Sequence, residues 1–296
     1  MRAKLIINPV AGNWRRRRKL PLIKEKLGSA GFVLDEFVTG KRGDAGEEAA
    51  RAAREGYDIV IPAGGDGTIN ECINALHGTQ TCLGLVPLGT ANTLLQEIGI
   101  PQDADRACDV IIGGTRLPID LGIAGDRYFA AMAGGGFDAR TAHRVRGRVK
   151  KHLGIAAYHL MAWLTWLNYK TFTMSVQLDG DRRTEGCLVI ICNSGRYGGR
   201  YYIGPDASIV DGHLDVLVLE KNSKYSILEG AINLLKGKIE DTDGIKFYKA
   251  REVTVSPPGS REVLVQADGD LTGVLPMDFR IKPGAVTVMA PPEDKI

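Results

Sequence analysis

No window of this 296-residue sequence approaches the roughly 20 consecutive apolar residues of a membrane-spanning helix, so none is expected. The opening MRAKLIINP has too few apolar residues in a row for a secretory signal, and the chain reads as soluble and cytoplasmic. Cysteine is scarce. Cys72, Cys82, Cys108, Cys187 and Cys192 form an odd set without a CxxC pair, which argues against a disulfide framework and suits small core residues of a reduced protein. His77, His143, His152, His159 and His213 show no spacing of a transition-metal site. A net charge of +3 is too small to argue for nucleic acid, so no nucleic-acid partner is expected and any basic contact must be local. No repeat with a period of about 20–50 residues is visible.

What is present is a chain long enough for two domains, either able to bury a core. It is organised around residues 59–70. The apolar run Ile59, Val60, Ile61 leads into Gly64, Gly65, Asp66, Gly67, Thr68, Ile69 and Asn70, and Ile69, Cys72, Ile73 and Leu76 then recur at helical spacing. The pattern predicts strand, tight turn, helix. The glycines free the backbone and leave no side chain between main chain and ligand. Amides at a helix start lack internal partners and favour an anion such as phosphate, and Asp66 can orient a metal ion or a water. An ordinary strand-to-helix turn has the same residues.

The chain opens with a strand over residues 4–8, the turn Asn8, Pro9, Val10, Ala11, Gly12, Asn13, and a helix over 15–30 with Leu20, Ile23 and Leu27 as its buried stripe. The basic run 15–19 opposes the dipole at that helix start, which either an anionic partner or solvent would relieve. A strand over 32–39, a helix over 45–55 and a strand over 58–62 follow, an alternation that predicts a parallel sheet. A strand over 83–87, the turn Leu88, Gly89, Thr90, Ala91, Asn92 and a helix through Leu95 and Ile98 repeat the pattern. Both glycine turns fall at carboxyl ends of strands, where open α/β sheets bind ligands. After residues 117–119 the texture changes to period-two segments, at 128–132, 172–178, 187–192, 214–219, 253–255, 262–266, 279–281 and 286–289, with helices over 154–169 and 225–236. This is a mainly antiparallel β domain.

GGDGTIN at 64–70, PLGTAN at 87–92 and NPVAG at 8–12, in this order and strand context, resemble the diacylglycerol kinase catalytic-domain family. The likeness is to its bacterial lipid kinase branch, related to sphingosine kinases and distantly to NAD kinases. Matching stretches continue along the chain: Phe137-Asp138-Ala139, Lys150-Lys151-His152-Leu153-Gly154 with Tyr158, Asn193-Ser194-Gly195-Arg196-Tyr197-Gly198-Gly199, Asp211-Gly212-His213-Leu214-Asp215 and Asp268-Gly269-Asp270. The resemblance implies a doubly wound, NAD-kinase-like nucleotide domain over 1–118. It implies an antiparallel β-sandwich lipid or substrate domain over 119–296, whose last strand is free to return to the first, with the active site in the interdomain cleft. It also implies a lipid kinase that moves the γ-phosphate of ATP to a hydroxyl of diacylglycerol or a related lipid with magnesium.

Carried over residue by residue, ATP would be held by Asn8, Pro9, Val10, Ala11, Gly12, Thr39, Gly64, Gly65, Asp66, Gly67, Thr68, Ile69, Asn70 and Thr90. Asp66 would support magnesium and phosphates, with Asp120 in the same acidic network. Asp270 would be the general base, one methylene shorter than the family's usual glutamate. Asp268-Gly269 between two alternating runs is also a hairpin turn signal in its own right, which does not explain Asp270. A structural magnesium site would use the Asp211 carboxylate with the carbonyls of Ser208 and His213, although Asp211-Gly212 also suits a plain turn. Thr93 stands where many relatives carry aspartate, and its neutral hydroxyl is a weaker partner for metal-bound water.

No Walker A, GxGxxG or protein-kinase HRD and DFG motif is present, which sets those ATP-using architectures aside. Arg144, Arg146, Arg148, Lys150 and Lys151 precede an apolar helix carrying Trp163 and Trp166, and together these suit an anionic membrane surface. Apolarity nearly all round that helix predicts instead that it is buried against the β domain, leaving the basic loop to meet headgroups. The expected partners are ATP and a lipid at the membrane surface, with a homodimer left open and a cytoplasmic, membrane-peripheral location. The alternatives are a nucleotide- or lipid-binding regulator without turnover, kept open by Thr93 and Asp270, and a kinase of a soluble acceptor such as NAD.

Overall fold

The computed structural model describes residues 1–11, 18–144 and 155–292, with the backbone alone for 155–159. It divides into two compact units, Met1–Asp120 with Pro283–Ile296, and Leu121–Lys282. The first unit is an α/β layer structure. Its elements are β1 (Arg2–Ile7), α1 (Leu20–Ser29), β2 (Val33–Val38), α2 (Asp44–Arg54), β3 (Ile59–Ala63), α3 (Asp66–Leu76), β4 (Cys82–Leu83), α4 (Thr93–Glu97) and α5 (Ala104–Gly113). The strands run parallel in the order β2-β1-β3-β4, and Val288 near the end of the chain pairs in parallel with Leu83. The apolar run of β3 is buried along its whole length, as a strand covered on both faces must be. Ile23 and Leu27 of α1 pack into the same core as Leu5, Ile61, Cys108 and Met289, with Leu20 at its margin.

Sequence and structure differ here in three places. Among the described residues the first helix spans Leu20–Ser29, after a turn at residues 18–19, with Pro21 in its first turn, where a missing N–H costs nothing. Lys19 therefore precedes the helix, and its ammonium meets the Asp103 carboxylate at 3.3 Å, a protein-supplied answer to the unfavourable dipole. Residues 15–17 lie outside the described residues. The strand expected over 83–87 stops at Leu83, because Pro87 has no N–H for a ladder and the Leu88 amide turns back to the Val86 carbonyl. Helix α5 was not anticipated, although Asp103 caps it through Asp105 N and Arg106 N.

The second unit packs two mainly antiparallel sheets face to face. Chain order gives β5 (Thr115–Ala124, entering from the first unit), β6 (Arg127–Phe129), β7 (Met132–Gly135), α6 (Phe137–Arg144), α7 (Ile155–Leu167), β8 (Met174–Leu178), β9 (Arg182–Gly186) and β10 (Leu188–Cys192). It continues with β11 (Arg196–Tyr197), β12 (Tyr201–Tyr202), β13 (Leu214–Leu219), α8 (Lys224–Leu235), β14 (Ile245–Ala250), β15 (Glu252–Ser256), β16 (Leu264–Ala267), β17 (Asp270–Val274) and β18 (Met277–Ala290). One sheet runs β14-β13-β10-β7-β16-β17, and the other includes β18-β15-β8-β9. Val176, Val189, Val216, Val253, Val265 and Phe279 from both sheets share one buried core.

The segments read as strands over 279–281 and 286–289 form the single strand β18, which carries the chain from the second unit into the first. Pro283-Gly284, a breaker by sequence, lies inside it. Gly284 has φ 56° and donates its N–H to Asp120 Oδ1 at 2.8 Å, so the irregular backbone group keeps a partner.

Helix α7 is not covered in the way its apolarity predicted. Leu160, Trp163, Leu164 and Leu167 fall at i, i+3, i+4 and i+7 and are 40–49% exposed. Trp166, half-buried, stacks on Trp163 with ring centroids 5.1 Å apart, donates Nε1–H to the Lys224 carbonyl and meets Tyr225 edge-on. The β domain thus takes one side of the helix and leaves an aromatic, apolar stripe outside. Among the described residues no helix is long and apolar enough to cross a membrane. All five cysteines are buried, and burial pushes the thiols of Cys82 and Cys108 up to about 11.

Candidate active site

In the first unit Ile7 pairs with both Val38 and Ala63, so the carboxyl ends of β1, β2 and β3 finish level. The strand order reverses between β1 and β3, the switch point at which open α/β sheets leave a crevice. Asn8, Thr39 and Gly64 each follow one of these strand ends. Asn8 Nδ2 donates to Thr68 Oγ1 at 2.9 Å and Asn8 Oδ1 accepts the Val10 N–H, so the first turn is tied to the glycine helix. Ala11 N–H closes that turn on the Asn8 carbonyl, with Pro9 inside it, while Gly12 lies outside the described residues. Thr39 is buried, and its amide and hydroxyl both donate to the Ile7 carbonyl.

None of the glycines at 64, 65 and 67 has positive φ, and at Gly64 the requirement is space. A Cβ on Gly64 would lie 2.4 Å from Thr68 Oγ1. Gly65 faces the second turn, where a Cβ on Gly89 would lie 2.7 Å from Gly65 Cα and 2.5 Å from Asn92 Oδ1. The two glycine turns thus meet backbone to backbone, a cradle that any side chain would fill. Asp66 fastens them. It is the first residue of α3, where a carboxylate suits the dipole, and it accepts the Asn92 N–H on Oδ2 at 3.1 Å and the Thr93 N–H on Oδ1 at 2.6 Å.

Thr93 therefore contributes its backbone to Asp66 whatever its side chain. Thr68, Ile69 and Asn70 are buried, so α3 offers the crevice mainly main chain at its start, and Thr90 is exposed on the second turn. Asn92, which the sequence marks as part of the second turn but not as a site residue, takes a left-handed conformation at φ 52° and buries Oδ1 without a partner among the described residues. A buried acceptor beside a glycine cradle suits a ligand that brings donors or bound water.

In the second unit the Asp268-Gly269 pair makes the turn between β16 and β17, with both residues at positive φ (49° and 82°). That is the two-residue hairpin connection which Asp-Gly favours. The Asp268 carboxylate accepts three amides, from Ala130, Ala131 and Met132, at 2.8–3.1 Å. Asp270 opens β17, and Arg127 Nη2 donates to its Oδ2 at 2.9 Å. Nothing local in the sequence links Arg127 to a residue 143 positions away.

Asp120 is buried and holds the Gly284 amide. Ser208, Asp211 and His213 share one loop. Asp211 Oδ1 accepts the His213 N–H at 3.0 Å, and His213 Nδ1 meets the Asp211 carbonyl at 2.8 Å. Lys249 places its ammonium 2.7 Å from Asp211 Oδ2, 3.2 Å from the Asp206 carbonyl and 3.8 Å from Asp215 Oδ2. The hydrogen bond to Asp211 raises the lysine's pKa, and burial raises that of Asp215. An all-oxygen donor set around a cation is the chemistry a hard divalent ion uses, so the loop fits magnesium if Lys249 withdraws. Among the described residues no three His, Cys, Asp or Glu side chains group as metal ligands, so a site here relies on main-chain oxygens.

Known proteins align with both units. Residues 2–124 match the profile of the diacylglycerol kinase catalytic domain, and residues 131–290 that of the YegS C-terminal NAD kinase beta sandwich-like domain. A Bacillus subtilis diacylglycerol kinase is 32% identical over 282 residues, 94% of this chain and 92% of the relative. A Staphylococcus aureus diacylglycerol kinase is 32% identical over 295 residues, 98% of this chain and 92% of the relative. The crystal structure of a diacylglycerol kinase from Bacillus anthracis matches with a TM-score of 0.78 at 25% identity, covering 98% of this chain and 96% of that one.

Proposed function

Since this chain belongs to the diacylglycerol kinase family and is a phosphotransferase acting on an alcohol, we propose that it moves the γ-phosphate of ATP to a hydroxyl of diacylglycerol or a close relative. The observation that carries the nucleotide half is the meeting of two glycine turns, fastened by Asp66, at the switch point of a parallel sheet. Main-chain amides there hold phosphates, and the turn at Asn8, Pro9, Val10 and Ala11, with Thr39 and Thr90, surrounds them. Each Asp66 oxygen keeps a lone pair beyond its backbone bond, so it can also receive a water of the magnesium shell. Magnesium, when bound, neutralises phosphate charge as the phosphoryl group moves.

Asp270 takes the acceptor half. Its carboxylate receives the hydroxyl proton, the freed oxygen forms a bond to the γ-phosphorus, and the bond to the β-phosphate oxygen breaks to release ADP. Arg127 holds one oxygen of that carboxylate in place. Incubating the protein with labelled ATP and magnesium, with a panel of lipid alcohols in mixed micelles and with NAD in a parallel reaction, tests this reading. Label is expected in one lipid class, and labelling of NAD with no lipid product would contradict it.

The exposed stripe Leu160, Trp163, Leu164, Leu167, with Lys224 beside Trp166, supports a peripheral membrane contact for the second unit. Leu164→Glu is expected to lower sedimentation with anionic vesicles severalfold while leaving turnover of a short-chain soluble acceptor unchanged. Equal loss on both substrates would count against a docking role. The basic segment 145–151 lies outside the described residues.

A structural magnesium ion would take the Asp211 carboxylate with the Ser208 and His213 carbonyls, in competition with Lys249. Magnesium is then expected to raise the melting temperature, and more in Lys249→Met, where the competing ammonium is gone. No magnesium shift in either protein would remove the site.

A further inference from the structure

The turn that presents Asp270 is gripped by a second set of contacts, which joins three stretches distant in sequence. Tyr197, on β11, donates its hydroxyl to Asp138 Oδ1 at 2.7 Å. Gln266, on β16, donates Nε2–H to Asp138 Oδ2 at 2.7 Å, and the same amide group accepts the Gly269 N–H on Oε1 at 2.6 Å. Asp138 and Gln266 are both buried. The orientation of the Gln266 amide follows from its partners: a carboxylate accepts and a backbone N–H donates, so only one of the two flips satisfies both.

We propose that Asp138 and Gln266 are positioning residues for the acceptor side of the reaction, setting the peptide between Asp268 and Gly269, and with it the residue that leads into Asp270, through the chain Tyr197, Asp138, Gln266, Gly269. The three amides on Asp268 fix that residue alone. Gly269 has no side chain to hold it and sits at φ 82°, so its amide is the handle on the carboxylate that follows. The Gln266 side chain takes that handle and is itself aligned by Asp138. A buried network in which every member has one correct polarity specifies a single geometry, and a small displacement of a reacting group is costly in rate.

The inference rests on Asp270 as proton acceptor, and polarity supplies its test. Gln266→Met removes both bonds at similar shape and is expected to lower kcat by about tenfold to a hundredfold with little change in KM for ATP. The Gly269 amide should exchange its hydrogen faster at the same time. Asp138→Asn leaves one acceptor oxygen for two donors, and the Gln266 contact survives only where the new NH2 turns to the Tyr197 hydroxyl, which can accept it, so the same two readouts are expected to change in the same direction by less. Combining Asp138→Asn with Gln266→Glu reverses the polarity of the contact. The carboxamide now at position 138 donates to the carboxylate now at position 266, and that carboxylate still accepts the Gly269 N–H, so both bonds and the local charge are restored. This double variant is expected to regain most of the rate and of the Gly269 protection lost in either single variant.

Tyr197→Phe, the variant least able to disturb folding, should raise Gly269 exchange and lower kcat by a few-fold. Unchanged Gly269 exchange in Gln266→Met, or a double variant no better than the worse single one while Asp270→Asn still abolishes turnover, would overturn the relay. Asp270→Asn with undiminished rate would instead overturn the base assignment and the catalytic purpose of the relay with it. The Gly269 exchange pattern reads the relay independently of that assignment.

Discussion

Asp66→Asn is expected to lower phosphoryl transfer by on the order of a hundredfold or more, through two losses at one residue. The carboxylate accepts the Asn92 and Thr93 amides, one on each oxygen. A carboxamide has a single acceptor oxygen, so its NH2 must face one of those N–H groups, and the second glycine turn shifts away from Gly65. The change also removes a negative charge from the place where we assign support of magnesium and phosphate. ATP affinity and kcat should fall together, because both the cradle and its charge are altered. An unchanged kcat/KM for ATP would show that the two turns act without Asp66.

Asp270→Asn is expected to reduce kcat by about a hundredfold or more with ATP binding intact, since an amide cannot take the acceptor proton. The neighbouring turn keeps its Asp268 and Gln266 contacts, so the loss should not come from unfolding. Asp270→Glu separates reach from chemistry. Glutamate adds one methylene and keeps the carboxylate that Arg127 holds, so activity within about tenfold of the parent is expected, where asparagine fails. If glutamate and asparagine fail alike, the carboxylate's place at the start of β17 matters more than its basicity.

Much of the site can be read from the sequence, because the relevant signals are local. An apolar run that ends in glycines and passes into helical spacing can hardly be anything but β3, turn and α3, and Asp268-Gly269 announces the hairpin it makes. Even there the cause differs in part. Gly64 and Gly89 need space, beside Thr68 and Gly65 respectively, rather than dihedrals closed to other residues, and the approach of the two turns is something no pattern encodes.

Contacts between distant segments stay hidden for the same reason. Arg127 with Asp270, Gln266 with Asp138, and the exposed stripe on α7 follow from which elements pack together, and periodicity describes one element at a time. Asp103 is different. Its cap on α5 is local, with Ala104, Ala107, Cys108 and Ile111 behind it at helical spacing, so a reading attentive to caps would have found that helix.

The most direct measurement is transfer of label from γ-labelled ATP to diacylglycerol in mixed micelles with magnesium, comparing the parent chain with Asp270→Asn at saturating ATP. The expected result is labelled lipid phosphate from the parent and a rate lower by about a hundredfold or more in the variant, with equal ATP binding by both. No labelled lipid from a parent that binds ATP, or equal rates from the two proteins, would contradict a lipid kinase that uses Asp270 as its base.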